Sequence, residues 1–243
     1  MLILLACKAE VAPKTLDDLS VAALGDFYAE GEGDTIAELR DWLVDRKEDW
    51  PEGWSLRGIG ADDVADMQYS SATDFDKVLG AGVPYIGEGK LDDYVAIVPE
   101  EDQSFADPTY DEWSRTILEG SASEFEAGGD LKTDNHIEKT NFGVTVPYDA
   151  LKDYRWFDDV VAFRTSVPEQ GWAEDDKNGI ICGFTIEIWS QLDDGVLWYN
   201  ASWTDMRTQL DEFGYDDDWK VKSFIGGTID YFQGTEQHAN GED

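Results

Sequence analysis

The sequence predicts an α+β fold, most of it one domain, in which an antiparallel sheet packs on a long C-terminal helix. Three observations lead to this prediction. Residues 180–203 alternate apolar and polar side chains on both sides of an Asp-Gly step, which is typical of a β-hairpin. Residues 136–146 and 160–167 alternate in the same way. Residues 217–237 repeat apolar side chains every three or four positions, as an amphipathic helix does.

Two further amphipathic helices are predicted near the N-terminus. The first begins at Thr15, a residue suited to cap a helix, and the second begins at about Asp34. Their apolar stripes consist of Leu16, Leu19, Ala23, Leu24 and Phe27 in the first helix and of Ile36, Leu39, Trp42 and Leu43 in the second. We expect both helices to be packing elements rather than partner-binding ones.

The middle of the chain carries weaker patterns. Residues 80–89 hold four glycines and a proline and indicate a loop, residues 94–98 indicate a short strand, and residues 108–118 indicate a helix. The small, acidic and glycine-rich segment 120–130 is the best candidate for an internal domain boundary, although a long loop within one domain fits it equally well.

Each predicted strand has one apolar face. These faces consist of Phe142, Val144 and Val146 in the first strand, of Val161, Phe163 and Val167 in the second, of Ile180, Cys182, Phe184, Ile186 and Ile188 in the third, and of Leu197, Tyr199, Ala201 and Trp203 in the fourth. Pro147 and Pro168 are expected to end the first two strands, because proline cannot donate to a ladder. Cys182 is expected to be a buried free thiol.

The C-terminal helix carries its apolar stripe on Val221, Phe224, Ile225, Thr228, Ile229 and Phe232. Acidic residues 216–218 lie at its start, where negative charge is favourable beside the helix dipole. Gly226 and Gly227 lie in its middle, where each glycine costs about 1 kcal/mol relative to alanine. We therefore expect the helix backbone to approach the sheet closely at these two glycines.

Antiparallel strands followed by one amphipathic helix resemble the helix-grip fold of the START/polyketide-cyclase superfamily. The resemblance covers residues 135–238 and rests on the element order, on the turn at Asp193-Asp194-Gly195 and on Val221-Lys222-Ser223 near the start of the last helix. It implies a curved, START-like sheet that grips the helix and encloses a cavity for a lipid or another apolar ligand. The superfamily has no fixed catalytic residues, so none is carried over to this chain, and no cofactor is expected.

The chain is strongly acidic, with 18 Lys and Arg against 54 Asp and Glu and a net charge of −36. This charge excludes nucleic acid as a partner and predicts repulsion from an anionic membrane surface, so that membrane association requires a covalent anchor. Such acidity also suits a protein that must stay soluble in salty surroundings. The acidic clusters at 74–76 and 216–218 do not fit the twelve-residue EF-hand loop, so no metal site is predicted.

The first seven residues are apolar up to Cys7. Leu4-Leu5-Ala6-Cys7 resembles the lipobox of bacterial lipoproteins, in which the signal is cut before a cysteine that carries the lipid, although a complete signal peptide needs a longer stretch before the cysteine. The resemblance implies a signal remnant and lipid-anchored tether over residues 1–14 and a domain over residues 15–243. Because Lys8 rather than Asp follows Cys7, it also implies attachment to the outer membrane of a Gram-negative bacterium. The alternative is an ordinary N-terminal strand with a chance cysteine.

No catalytic motif is present in the sequence. His136 is the only imidazole placed to act as a base, because His238 lies near a polar terminus. The Gly-x-Ser-x-Gly elbow and the Walker loop are absent, and the histidines and cysteines do not match a zinc pattern. We therefore predict that the protein is not an enzyme, although the many carboxylates leave glycoside hydrolysis open.

A ligand is expected between the sheet and the C-terminal helix. The residues predicted to bind it are Phe142, Val144, Phe163, Phe184, Ile186, Leu197, Tyr199 and Phe224, together with Arg164. Arg164 can pair with an acidic lipid head group, and the alternative is a solvated arginine on the outer face. The leading hypothesis is an exported lipoprotein that binds a lipid or other apolar molecule without catalysis. The alternative is a structural or interaction lipoprotein with a filled core and no ligand.

Overall fold

The computed structural model of the chain describes residues 9–29, 32–141, 143–209 and 216–241. Within these residues, ten strands form one sheet, and five α-helices pack on its two faces. The strands are β1 (Glu10–Val11), β2 (Trp54–Leu56), β3 (Leu79–Gly87), β4 (Tyr110–Glu119), β5 (Leu131–Asn141), β6 (Val144–Phe157), β7 (Val160–Ser166), β8 (Gly171–Trp172), β9 (Gly179–Leu192) and β10 (Gly195–Arg207). The helices are α1 (Lys14–Gly25), α2 (Glu32–Val44), α3 (Leu91–Ile97), α4 (Ala122–Glu126) and α5 (Asp217–Ala239). Cys7 and Phe142 lie outside the described residues.

The strands follow the order β1-β2-β3-β10-β9-β7-β6-β5-β4, and the short β8 pairs with β9. The pairing is antiparallel except between β1 and β2, which are parallel. The sheet is large, curved and not closed into a barrel. These features confirm the predicted α+β class with its antiparallel sheet, its C-terminal helix and its extra N-terminal helices. The segment 120–130 contains α4 and connects two neighbouring strands of this sheet, β4 and β5.

The predicted hairpin is formed by β9 and β10, with Asp193 and Asp194 in the turn. The strand predicted over 136–146 is instead two strands, β5 and β6, joined around Gly143, whose φ of 77° favours glycine. Pro147 does not end a strand, because β6 continues through it. At Pro147 the strand pairs with β5, while pairing with β7 begins only at Leu151, and a strand with an unpaired edge tolerates proline.

One face of the sheet is covered by α1 and α2, which confirms the prediction that both are packing elements. Their buried apolar residues form one core with the apolar faces of β9 and β10. Ser20 of α1 donates a 2.7 Å hydrogen bond to the carbonyl of Leu16 and shares a 2.8 Å hydrogen bond with the hydroxyl of Tyr199 on β10. This face is therefore filled, both by apolar packing and by a satisfied polar contact.

The opposite face carries α5. Asp216 caps the helix, because its side chain accepts a 3.0 Å hydrogen bond from the backbone amide of Trp219. Val221, Ile225 and Phe232 are buried against the sheet. The predicted C-terminal helix is therefore confirmed, with the acidic residues at its start and part of its apolar stripe buried.

The expected close approach at Gly226 and Gly227 is wrong. A Cβ atom added at Gly226 would meet nothing within 4 Å, and one added at Gly227 would meet only the Nζ atom of Lys139 at 3.9 Å. The helix comes close to its neighbours at Gly234 instead, where an added Cβ would lie 2.3 Å from the carbonyl oxygen of Ala106. The paired glycines therefore leave space beside the helix. At position 234 glycine is needed, because the side chain of a larger residue would clash with the carbonyl oxygen of Ala106.

The glycine-rich segment 80–89 was predicted as a loop, but most of it lies in strand β3. The glycines accommodate large neighbours: a Cβ at Gly80 would lie 2.9 Å from the indole nitrogen of Trp203, and one at Gly82 would lie 2.8 Å from the hydroxyl oxygen of Tyr199. Glycine inside a strand is used here for close packing rather than for a turn.

Two other predictions for the middle of the chain are also wrong. Residues 94–98 lie in or next to α3, because the apolar spacing of a helix begins earlier, at the buried residue Leu91. Residues 110–118 form β4 rather than a helix. A β-bulge between Tyr110 and Glu112 shifts the alternation by one residue, so that Tyr110 and Trp113 lie on the same face of a strand at a spacing typical of a helix.

Candidate functional site

A cavity of about 400 Å3 lies between the sheet and α5. Its sheet side is formed by residues of β4, β5, β6, β7, β9 and β10, and its helix side by residues 219–231 of α5. Gly227 lines the cavity, so the space beside this glycine is part of it. The volume lies within the range of about 300–1,000 Å3 that is typical of small-molecule sites.

A row of polar side chains crosses the sheet wall of the cavity. Lys152 of β6 lies opposite Thr165 of β7, Thr165 lies opposite Thr185 of β9, and Thr185 lies opposite Ser202 of β10. All four residues line the cavity. Directly opposite positions on neighbouring strands place side chains on the same face, so the row presents one amine and three hydroxyl groups side by side.

Beside this row lies the carboxyl group of Glu187, which is 3% exposed and lines the cavity. Trp189 donates a 2.6 Å hydrogen bond to one carboxyl oxygen, and Asn200 donates a 2.9 Å hydrogen bond to the other. Tyr231 of α5 also hydrogen-bonds the group. Burial raises the pKa of Glu187, against the attraction of Lys152 and these hydrogen bonds, so the group holds its proton more strongly than an exposed glutamate.

Lys152 lies between aromatic and cationic neighbours. Its Nζ atom is 4.7 Å from the centre of the Trp113 ring, and the guanidinium of Arg115 lies 5.8 Å from the same ring. Burial and then the charge of Arg115 lower the pKa of Lys152 to about 7, although Glu187 acts in the opposite direction. A substantial fraction of this amine is therefore uncharged near neutral pH.

The other part of the cavity is apolar. Its apolar lining residues include Val144, Val146, Val167, Ile180, Trp219 and Phe224. The cavity therefore has a polar wall across β6, β7, β9 and β10, and its apolar surfaces lie on the helix and near the ends of β6, β7 and β9. Such a division suits a ligand with an apolar body and a polar group.

The structure places two of the predicted ligand-binding residues, Val144 and Phe224, in the cavity lining. Phe163 lies in the core on the α5 face of the sheet, where its ring packs against those of Tyr154 at 4.8 Å and Trp189 at 4.3 Å, but it does not line the cavity. Phe142 lies outside the described residues. Ligand binding by these residues stays a prediction.

The assignment of four other residues to the inner face is wrong. Phe184, Ile186, Leu197 and Tyr199 lie on the opposite face of the sheet, buried in the core that α1 and α2 cover. The prediction assumed that the more apolar face of β9 and β10 meets α5. Both faces are buried, and the more apolar one packs against the N-terminal helices. The less apolar face, with Thr185 and Glu187, is the one that lines the cavity.

Arg164 is also absent from the cavity lining and lies on the face covered by α1. It is 4% exposed, with its guanidinium 2.8 Å from Asp66, 3.7 Å from Asp153 and 5.1 Å from the centre of the Phe27 ring. It is thus neither a head-group ligand in the cavity nor a solvated arginine. His136, the candidate base, is exposed and pairs with Asp149 at 2.8 Å, outside the cavity.

Sequence reasoning missed the polar part of the site, namely Lys152, Thr165, Thr185, Glu187, Asn200 and Ser202. A signal was present in the sequence. Trp189 lies two positions from Glu187, and Trp198 lies two positions from Asn200, so each tryptophan shares the polar face of its strand. Large aromatic residues on the polar face of a strand indicate that this face is buried too.

Across the described parts of the chain, no group of three or more His, Cys, Asp or Glu residues is arranged to hold a metal ion. No helix in those parts combines the length and the hydropathy needed to span a membrane. Cys182 is a buried free thiol, as predicted, and burial raises its pKa.

No known protein family matches the chain by sequence, and no curated protein matches it. Similar solved structures include the Zhui aromatase/cyclase from a Streptomyces species, with a TM-score of 0.43 and 12% identity, covering 67% of this chain and 94% of that one. StfQ, a di-domain ARO/CYC from the steffimycin biosynthetic pathway, has a TM-score of 0.48 and 10% identity, covering 88% of this chain and 61% of that one. Human STARD10 has a TM-score of 0.42 and 9% identity, covering 76% of this chain and 83% of that one. The neighbours thus include START and aromatase/cyclase proteins, as the resemblance of the sequence implied. The TM-scores are low, so the function proposed below rests on the cavity.

Proposed function

We propose that the protein binds a lipid or another small molecule with an apolar body and one polar group in the cavity between the sheet and α5. The observation that carries the proposal is the cavity itself, whose volume of about 400 Å3 would be filled by side chains in an ordinary core. The polar row from Lys152 to Ser202 offers hydrogen bonds to the polar group. Val167 and Phe224 offer apolar contact to the body.

The alternative, a core without a ligand, fits the other face of the sheet. There, Phe184 and Tyr199 are completely buried, in one core with the N-terminal helices and with rings such as Tyr69 and Phe75. On the α5 face, the glycine at position 227 leaves a space that any other residue would occupy, and that space is continuous with the cavity. The two faces therefore support different roles: one stabilises the fold, and the other binds the ligand.

Binding without catalysis is the simpler role for this cavity. Neither histidine lines it: His136 pairs with Asp149 on the surface, and the ring of His238 stacks on that of Phe105. The carboxyl group of Glu187 is engaged by three hydrogen-bonding neighbours. These partners favour a fixed position in the cavity wall.

The test is native mass spectrometry of the purified full chain. We expect additional mass on the polypeptide that disappears after extraction with chloroform and is identified in the extract as an apolar small molecule. A bare polypeptide mass that stays unchanged after incubation with lipid vesicles would contradict the proposed binding function.

We also propose that the chain is an exported lipoprotein attached through Cys7 to the outer membrane of a Gram-negative bacterium. The support is the tetrapeptide Leu4-Leu5-Ala6-Cys7, the Lys8 that follows it and the charge of −36, which requires a covalent anchor for membrane association. The test is mass spectrometry of the N-terminal peptide from the source cells. A peptide that begins at an acylated Cys7 and fractionates with the outer membrane is expected, and an unmodified Cys7 would contradict the proposal.

A further inference from the structure

The cavity is lined by two lysines whose surroundings differ. Lys139 forms an ion pair with Asp107, with 3.0 Å between the amine and the carboxylate, and its amine also lies 4.4 Å from the centre of the Tyr110 ring. Among the residues that the structure describes, Lys152 has no such carboxylate within 4.0 Å. Its neighbours are the Trp113 ring, the cation Arg115 and, more weakly in effect, the carboxyl group of Glu187.

The position of Arg115 is fixed. Its guanidinium donates a 2.9 Å hydrogen bond to Asn135 and another to the backbone carbonyl of Val98, and its side chain is buried. It therefore stays near Lys152 as a permanent positive charge, because arginine does not lose its proton in proteins. A lysine that is both desolvated and beside another cation is the arrangement that produces a nucleophilic amine.

We propose that Lys152 forms a reversible imine with an aldehyde or ketone group of the ligand. This inference rests on the proposed binding function, and it specifies the polar group of the ligand as a carbonyl. The uncharged amine required for the reaction is present at neutral pH, because burial and Arg115 lower the pKa of Lys152.

The reaction balances without an oxidant, a reductant or a cofactor. The amine lone pair forms a C–N bond with the carbonyl carbon, the π electrons of the C=O bond move to oxygen, and a proton transfers from nitrogen to that oxygen. The hydroxyl group then leaves as water after protonation, and the second proton on nitrogen is lost as the C=N bond forms. Glu187 lies in the same cavity wall and holds a proton more strongly than an exposed glutamate, so it is suited to supply the proton to the leaving hydroxyl.

The surrounding residues fit a carbonyl compound. The hydroxyl groups of Thr165 and Thr185 follow Lys152 along the polar row, where they can bind the carbonyl oxygen or further oxygen atoms of the ligand. Val167 and Phe224 provide apolar surface for the rest of the molecule. The imine would thus form at the boundary between the polar and the apolar parts of the cavity.

The first test measures the reactivity of each lysine toward a probe that needs no binding site. The full chain is treated with formaldehyde and cyanoborohydride at pH 7, and methylation is followed by peptide mass spectrometry. We expect Lys152 to react at least about tenfold faster than the exposed Lys90, because about half of an amine with a pKa of about 7 is uncharged at that pH, against less than about 0.1% of an ordinary lysine amine. The rate at Lys152 should level off above about pH 8, whereas the rate at Lys90 should continue to rise.

Several other titratable groups face the cavity around Lys152. They are Glu187, Tyr110, Tyr148, Tyr231, Lys139 and the nearby Arg115. The pKa values of the three tyrosines are raised by burial, so these groups stay uncharged over the range of the experiment. The tyrosines therefore do not cause the level region, which reports the amine of Lys152 together with the nearby Glu187, with which it interacts electrostatically.

The second test uses an aromatic aldehyde and separates this inference from the binding function. Incubation with 2-naphthaldehyde and cyanoborohydride should place the adduct on Lys152, and Lys152→Arg, which keeps a long basic side chain but has no nucleophilic amine, should lose it. If Lys152 reacts no faster than Lys90 while an extractable ligand co-purifies with the chain, the imine is ruled out and the binding function stands. If Lys152 reacts fast and carries the adduct while native mass spectrometry shows only bare polypeptide, the reactive lysine stands and the proposed natural ligand is wrong.

Discussion

Asn200 of β10 donates a 2.9 Å hydrogen bond to the carboxyl group of Glu187, which lies directly opposite on β9. Trp189 donates to the other carboxyl oxygen at 2.6 Å. A buried carboxyl group is stable only when its oxygens have partners, and here the sheet itself supplies two of the three hydrogen-bonding neighbours. The central strands can therefore hold an ionisable group in the cavity wall without contact to solvent.

Replacement of Asn200 tests this relationship. Asn200→Ala should lower the free energy of unfolding by about 1–3 kcal/mol, because the buried carboxyl group of Glu187 loses one of its three hydrogen-bond partners. Urea unfolding followed by tryptophan fluorescence measures the effect. Ser202→Ala is the matched control, since Ser202 lies two residues further on the same face of β10 and does not contact Glu187. Equal losses of stability in the two variants would contradict the role of the hydrogen bond.

The buried amine of Lys152 makes stability depend on pH in a defined direction. Below about pH 7 the amine is charged in the folded and the unfolded chain, and its burial opposes folding fully. Between about 7 and the ordinary value of 10.5, the folded chain binds fewer protons than the unfolded chain, so stability rises with pH.

Lys152→Met removes this dependence. The variant should be more stable than the wild type at about pH 6, and its advantage should shrink by on the order of a few kcal/mol by about pH 10. Denaturant unfolding of both proteins at the two pH values measures the difference, in which the titration of unaffected groups cancels. The same difference at both pH values would show that the pKa of Lys152 is not lowered.

Phe184 and Phe224 were both predicted to bind the ligand, and the structure separates their roles. Phe184 is completely buried on the face that the N-terminal helices cover, so Phe184→Ala should lower the free energy of unfolding by about 3–5 kcal/mol. Phe224 lines the cavity and is only partly buried. Phe224→Ala should therefore destabilise the fold less and weaken binding of an apolar dye by about tenfold, or about 1.4 kcal/mol. Stronger loss of dye binding in Phe184→Ala, measured where both variants are folded, would reverse this assignment.

The sequence was sufficient to predict the elements with regular patterns. The hairpin β9–β10, strand β7, the two N-terminal helices and α5 follow from periodicity, which depends only on neighbouring residues. The predicted cap at Thr15 is wrong, because α1 begins at Lys14 and is preceded by Pro13, which makes no side-chain capping hydrogen bond. The predictions for the middle of the chain were wrong where tertiary contacts determine the secondary structure. The bulge at Tyr110 gives strand β4 an apolar spacing typical of a helix. The close packing of β3 on Trp203 and Tyr199 requires glycines, and a glycine-rich sequence is typical of a loop.

The cavity lies between the sheet and the C-terminal helix, where a ligand was expected, but of the predicted binding residues only Val144 and Phe224 line it. Periodicity shows that Phe184 and Thr185 lie on opposite faces of β9, but it does not show which face meets which helix. The N-terminal helices pack on the more apolar face, and α5 packs on the other. This choice depends on packing between elements that are far apart in the chain. The cavity is consequently lined by Thr185 and Glu187, and the apolar residues that were predicted to bind from β9 and β10 lie in a filled core.

Two adjacent glycines of α5 provide the most direct test of the cavity. Gly227 lines it, whereas Gly226 is exposed and an added Cβ there would meet nothing within 4 Å. Gly227→Leu should fill the cavity, and Gly226→Leu should leave it open, while both substitutions raise the helix propensity by the same amount.

The measurement is the dissociation constant of a neutral apolar dye, N-phenyl-1-naphthylamine, for the wild type and both variants. We expect the wild type and Gly226→Leu to bind equally and Gly227→Leu to bind at least about tenfold more weakly, a loss of about 1.4 kcal/mol. Equal affinity in all three proteins, or binding in none of them, would contradict a ligand site between the sheet and the helix.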